Sequence, residues 1–424
     1  MKLPSVAICI VFVSFAAAAP LRADVVENPQ LTELSRKVDA LTAEIEQLKL
    51  GGATEAPASL GRTGKVSLGG YGEFVFRAPS RRAQNGDATG LKKQTDLQRF
   101  VLYAGYKFND WILFNSEFEV EHAGTGQGDE KRGEIGVEQA YLEARPWKQF
   151  GARAGHVIVP LGLVNEIHEP TAFHGVNRPS VETLIIPSTW HQNGIGVFGE
   201  VGPVSYRSYA LESLIAVKSA DPASDGFTAS KGIRGASAEG SNSPADDLAW
   251  ASRIDVAVAP GVKAGAGLYL GRADRGSSSA TVPVTLWEAH AEGLWRGASV
   301  RALYAEGRIG NVGDLNAAQG FAGNQSVGRR LFGGYAEAAF DILTLVRDPK
   351  GQSLSPFVRY ERYDTQWKVP AGFTKDPANS RVEYTLGLTY KPLAQIAVKL
   401  DQQWKLNQAR TGVNQWNFGL GYIF

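Results

Sequence analysis

From Lys65 to the C-terminus, hydrophobic and polar residues alternate with a period of two, the spacing of a β-strand with one apolar and one polar face. In the first such segment Val66, Leu68, Gly70, Gly72, Phe74 and Phe76 share one face, and Lys65, Ser67, Tyr71, Glu73 and Arg77 the other. Arg99, Tyr103 and Lys107 then oppose Leu102, Ala104, Tyr106 and Phe108, and Asn115, Glu117, Glu119 and Glu121 oppose Phe114, Phe118 and Val120. The alternation continues in Gln139 to Arg145, Arg253 to Val258, Trp287 to Trp295, Arg381 to Leu388 and Val398 to Trp404. Faces this charged cannot meet lipid, whereas their partners suit it. The pattern predicts an all-β chain: a transmembrane antiparallel up-and-down barrel of about 16 strands spanning 65–424.

The connections also alternate. Asn109-Asp110, Pro146 to Lys148, Gly202-Pro203, Pro260-Gly261, Arg296-Gly297 and Lys391-Pro392 read as tight turns. The stretches near 78–96, 122–133, 158–190, 214–247, 307–330 and 365–380 read as long polar loops. Short turns at one rim and long loops at the other suit a membrane barrel with both termini on the turn side. The loop at 214–247, rich in Ser, Ala, Gly and Asp, is expected to be mobile and exposed. Aromatic residues gather near the turns, as with Trp111, Trp147 and Trp295, where membrane interfaces favour them.

Ahead of the barrel the period changes. Leu31, Leu34, Val38, Leu41, Ile45 and Leu48 follow the 3, 4 spacing of a heptad seam, so 24–50 is expected to be a short α-helical coiled coil in the periplasm. Helices this short are marginal alone, which points to self-association, with a homotrimer the expected form; a solvated amphipathic helix is the alternative. Residues 51–64 read as a flexible linker. Residues 1–23, with Lys2, the apolar run Val6 to Phe15 and the small residues Ala16 to Ala19, read as a secretory signal. The single cysteine, Cys9, lies within that signal.

Composition adds mainly exclusions. With 44 Lys+Arg against 43 Asp+Glu the net charge is +1, leaving no basic excess for nucleic acid. No G-x-S-x-G motif marks a nucleophile, so no enzyme is expected. Glu166, His168, Glu169 and His174, with His191 beyond, have the composition of a metal site but no H-E-x-x-H spacing. They are read as polar loop residues, with no metal or cofactor expected; His156 and His290 are read as wall or girdle residues.

The closing strand carries Trp416, Phe418, Leu420, Tyr422 and Phe424 on one face. Its terminal aromatic resembles the signal by which outer-membrane barrels engage their assembly machinery. The signal, the coil ending in Ala43-Glu-Ile-Glu-Gln-Leu-Lys49, the Gly-rich linker and the barrel together resemble the phosphate-selective porin O and P family. So does Arg153-Ala-Gly-His-Val-Ile-Val-Pro-Leu-Gly162, at the passage into that family's constriction loop. The resemblance implies an outer-membrane porin in lipid and lipopolysaccharide, passing small hydrophilic solutes and ions, with the loop near 158–190 folded into the lumen. Glu166, Glu169 and Arg178 would then be constriction candidates, with Arg145, Arg153, Arg253, Arg301, Arg359 and Lys399 on the wall. Interleaved carboxylates such as Glu117, Glu143, Glu361 and Asp401 depart from a phosphate channel, which needs rings of one sign, and leave ion preference open. A structural or adhesive barrel with a blocked lumen is the alternative.

Overall fold

The computed structural model describes residues 65–124, 133–218, 225–237, 239–240, 245–273, 281–346 and 350–424. The expected signal, coiled-coil seam and linker lie outside the described residues. Among those described, sixteen strands follow one another: β1 (Val66–Pro79), β2 (Gln94–Lys107), β3 (Ile112–Glu121), β4 (Ile135–Trp147), β5 (Phe150–Ile158), β6 (His191–Val201), β7 (Val204–Glu212) and β8 (Leu248–Ala259) form the first half. β9 (Val262–Arg272), β10 (Pro283–Trp295), β11 (Ala298–Ile309), β12 (Arg330–Phe340), β13 (Ser353–Lys368), β14 (Ser380–Leu393), β15 (Ile396–Asn407) and β16 (Gln415–Ile423) form the second. Each strand pairs antiparallel with its sequence neighbours, and β1 with β16, in register from Tyr71 opposite Ile423 to Pro79 opposite Gln415, closes the barrel. Closure leaves no edge strand with unpaired backbone groups, the condition for crossing hydrocarbon as β-structure.

Period-two patterning decides which face is which. Leu102, Leu142, Ile254, Val358, Leu386 and Leu400 stand exposed on the outer surface, and Arg99, Glu117, Glu143, Asp255, Arg359 and Asp401 are buried inside. Trp111, Trp147 and Trp295 lie exposed toward the turn rim, and Trp250, Trp404 and Trp416 toward the loop rim. Register shifts interrupt the rhythm in several strand pairs, and the one between β3 and β4 changes which residues face the lumen. Opposite β3, Glu117 pairs with Gln139 and Phe118 with Val137; Glu138 is the extra residue, and it too is buried.

The turn rim is built as the sequence indicates, with small differences. Gly202 and Gly261 take left-handed backbone (φ +58° and +74°), a conformation that costs little without a Cβ and lets two-residue turns follow the strand twist. Pro146 and Trp147 belong to β4, which turns at Lys148 and Gln149, and Lys391 and Pro392 belong to β14, which turns after Leu393. The β12–β13 connection is longer and holds a 3₁₀ turn at Ile342–Leu345.

The lumen departs from a simple water-filled pore. On the β7–β12 side the inner wall is apolar toward the loop rim, presenting Leu211, Ala249, Ala251, Leu286, Leu303 and Leu331. Two loops cover it. Leu161, Val164, Ile185, Ile186 and Trp190 come from 159–190, and Leu214, Ala216, Phe227 and Ile233 from the loop after β7. That second loop is therefore partly a lid with a packed underside, not the wholly exposed segment its composition suggests: apolar residues scattered among Gly and Ser find an apolar wall to cover.

Candidate channel constriction

The segment 159–190 leaves β5 and returns at β6, and between these ends it runs through the barrel interior to the opposite wall. Two buckles close its base. Asn165 donates to the Val159 carbonyl (2.8 Å) and accepts from the Trp190 N–H (2.8 Å), joining the start of the loop to its end. Glu182, in the short helix α1 (Val181–Leu184), accepts from the Val164 N–H (2.7 Å) and the Tyr335 hydroxyl (2.6 Å). Burial pushes the Glu182 pKa up against these two hydrogen bonds.

Beyond the buckles the loop's backbone is satisfied by charged side chains of the wall. Lys391 donates to the Thr171 carbonyl (2.7 Å), Arg301 to Ala172 (3.3 Å) and Lys399 to Gly175 (2.8 Å). Arg359 reaches the carbonyls of His174 (3.3 Å) and Asn177 (3.0 Å), and Arg253 that of Gly162. Carboxylates take the N–H groups: Asp401 accepts from Val176 (2.6 Å) and Glu361 from Val181 (3.0 Å), while Glu383 accepts from the Ser180 hydroxyl (2.9 Å). Irregular backbone at membrane depth needs such partners, because hydrocarbon offers none.

The arginines among these wall groups are paired with carboxylates, whereas Lys391 and Lys399 are held by loop carbonyls. Arg359, fully buried, lies 3.0 Å from both Glu337 and Glu361. Arg253 forks onto Asp255 at 2.8 Å through two nitrogens and approaches Glu166 at 3.6 Å. Arg153 pairs with Glu143 (2.7 Å) and stacks 4.3 Å over the Tyr141 ring. Arg301 has Glu337 at 3.9 Å, and Arg145, near the turn rim, has Glu200 at 3.0 Å.

Within the loop, Glu166 pairs with Arg207 (3.1 Å), Glu169 accepts from the Tyr103 hydroxyl (3.1 Å), and Arg178 donates to Ser188 (2.5 Å) and the His168 carbonyl (3.1 Å). The structure thus brings Arg253, Arg301, Arg359 and Lys399 together on the loop, and leaves Arg145 and Arg153 on the wall apart from it.

The histidines separate. His174 stacks on Phe357 at 5.5 Å. Burial, and the charges of Arg301, Lys391 and Lys399, push its pKa down to about 3, so it is neutral. His168 is buried against Glu117 (3.1 Å) and Glu138 (3.4 Å). Burial lowers its pKa, but the two carboxylates more than offset this and raise it to about 9. Glu138 was not legible as an inward residue because the bulge reverses its face; Lys391 was hidden by the turn-like Lys-Pro pair. Above the constriction, on the loop side, a cavity of about 490 Å³ is lined by Leu184, Lys231, Arg381, Glu383 and Lys405 among others.

No protein-family model matches the chain. Over 342 residues it is 33% identical to an uncharacterized protein of Aquifex aeolicus (strain VF5), across 79% of this chain and 74% of that one. This chain belongs to the family of that Aquifex protein. Solved structures with a similar fold include Salmonella typhi OmpF in complex with daunomycin (TM-score 0.57, 12% identity, 87% of this chain and 100% of that one). Others are an anion-selective porin from Comamonas acidovorans (0.51, 11%, 85% and 99%) and the trimer form of Vibrio cholerae OmpT (0.50, 12%, 85% and 99%). At these identities the likeness is one of fold, a porin-like barrel. The family tie brings no activity with it, so function rests on the lumen.

Proposed function

We propose that the protein is an outer-membrane porin: a narrow channel for passive diffusion of small hydrophilic solutes and ions, set in lipid and lipopolysaccharide and assembled as a homotrimer through its N-terminal seam. The observation that carries this reading is loop 159–190, drawn across a closed sixteen-strand barrel and held by wall charges of both signs. An apolar outer belt and porin-like neighbours, one of them a trimer, support it. The O and P resemblance favours anions. Against phosphate in particular, Arg253, Arg301 and Arg359 face carboxylates and loop carbonyls, leaving a weakly selective passage as the better fit.

The test is single-channel recording of refolded protein in a planar bilayer. Stepwise currents of small unitary conductance are expected. Silence from protein shown to be folded and inserted would overturn the channel reading in favour of a blocked structural or adhesive barrel. A specific observation favours that second reading: His168, Arg359 and Glu361 are completely buried, and one side of the lumen is a packed apolar core.

A further inference from the structure

We propose that Glu117 on β3, Glu138 on β4 and His168 on loop 159–190 form a binding site for one divalent transition-metal ion, with zinc the best-suited probe. One ligand atom from each side chain lies within 4.8 Å of the others, and all three residues are buried. His168 Nε2 is 3.1 Å from Glu117 Oε1 and 3.4 Å from Glu138 Oε2. Zinc–nitrogen and zinc–oxygen bonds of about 2.0–2.2 Å in a tetrahedron separate neighbouring ligand atoms by about 3.3–3.5 Å. The donors therefore stand near the spacing that coordination requires.

The surroundings orient these donors. His168 Nδ1 lies 2.9 Å from the Asn165 carbonyl, which can only accept, so Nδ1 carries its proton there and Nε2 is the atom turned toward the carboxylates. Gln139 donates to the second Glu117 oxygen at 2.5 Å, fixing that carboxylate. Glu138 Oε2, in a residue only 3% exposed, makes no hydrogen bond to a described residue and lies 3.4 Å from His168 Nε2.

Charge supplies a separate argument. Arg99 is engaged by Glu73 and Glu119, and Arg178 is tied to Ser188 and the His168 carbonyl. A proton on Nε2 offers one positive charge to Glu117 and Glu138 together, whereas a divalent ion bound by neutral His168 balances both, and buried carboxylates left uncompensated are costly. Because the ligands come from two wall strands and the loop, the ion would staple the first half of the loop to β3 and β4.

Refolded protein, stripped with chelator, would be incubated with zinc sulfate, desalted and measured for bound metal. One zinc per chain is expected, with affinity weakened at least about 100-fold in His168→Gln and Glu138→Gln and unchanged in Glu166→Gln, which faces Arg207 and Arg253. Less than stoichiometric retention by wild type, or equal retention by His168→Gln, would overturn the site and leave an imidazolium between two carboxylates. If the variants do not refold, the cobalt-loaded wild-type barrel decides: visible bands of four-coordinate cobalt, held by the three side chains and one water, are expected, and their absence would overturn the proposal. None of these readouts depends on conductance.

Discussion

Arg359 shows what a lumen charge does here. Its guanidinium is fully buried, salt-bridged to Glu337 and Glu361, and bonded to two loop carbonyls. Replacing it with methionine strands both carboxylates, and losing one partner of a buried pair costs about 3–5 kcal/mol. Arg145 forms an ion pair of similar length with Glu200, but near the rim and partly exposed; solvent screening holds such pairs to about 0–1 kcal/mol. Heat-modifiability in detergent should therefore place Arg359→Met well below wild type and Arg145→Met close to it. Equal stability of the two variants would mean that the Arg359 network contributes little. The sequence shows both arginines as inward-facing residues; it does not show which is desolvated, because that depends on loop residues His174 and Asn177, 185 and 182 positions away.

At the level of elements, strands were the most legible part. Strict alternation fixes a face residue by residue, and it failed where pairing adds a residue, at Glu138, since a bulge moves every later side chain to the other face. Loops were less legible. Their composition said polar and long, but Ile185, Ile186, Phe227 and Ile233 become core only because β7–β12 present an apolar inner wall to them. The metal-like group read from the sequence was split for the same reason: Glu166 and His174 take separate partners, and His168 meets Glu117 and Glu138 from remote strands. If the apolar core is what pins loop 159–190, Ile185→Asp should loosen it by burying an unpaired carboxylate. Unitary conductance and current noise are both expected to rise in bilayers. Unchanged currents from folded variant protein would show that the loop's polar anchors are enough to hold it.

Across the whole molecule, charge is distributed unevenly between constriction and mouth. At the constriction Arg253, Arg301 and Arg359 each have a carboxylate within 4.0 Å, and the fields of these pairs largely cancel for a passing ion. In the loop-side cavity Arg381 is held instead by the carbonyls of Ala378 and Ser230 and the side-chain oxygen of Asn379, and it stacks 5.6 Å from the Tyr363 ring. Lys405 lines the same cavity, as does Lys231, which is paired with Asp225 at 2.6 Å, and Glu383 there accepts from Tyr363 and Ser180. A mouth of net positive character concentrates anions before they meet the narrow segment, an effect that weakens as salt shortens the Debye length from about 10 Å at 0.1 M to about 3 Å at 1 M. Reversing two of these charges in Arg381→Glu/Lys405→Glu should move the zero-current potential under a salt gradient toward cation preference, strongly at 0.1 M and little at 1 M. A shift of equal size at both concentrations would mean that Arg381 and Lys405 act on the ion in direct contact, too close to be screened, rather than by concentrating anions at the mouth. No shift at either would leave selectivity with the paired network itself.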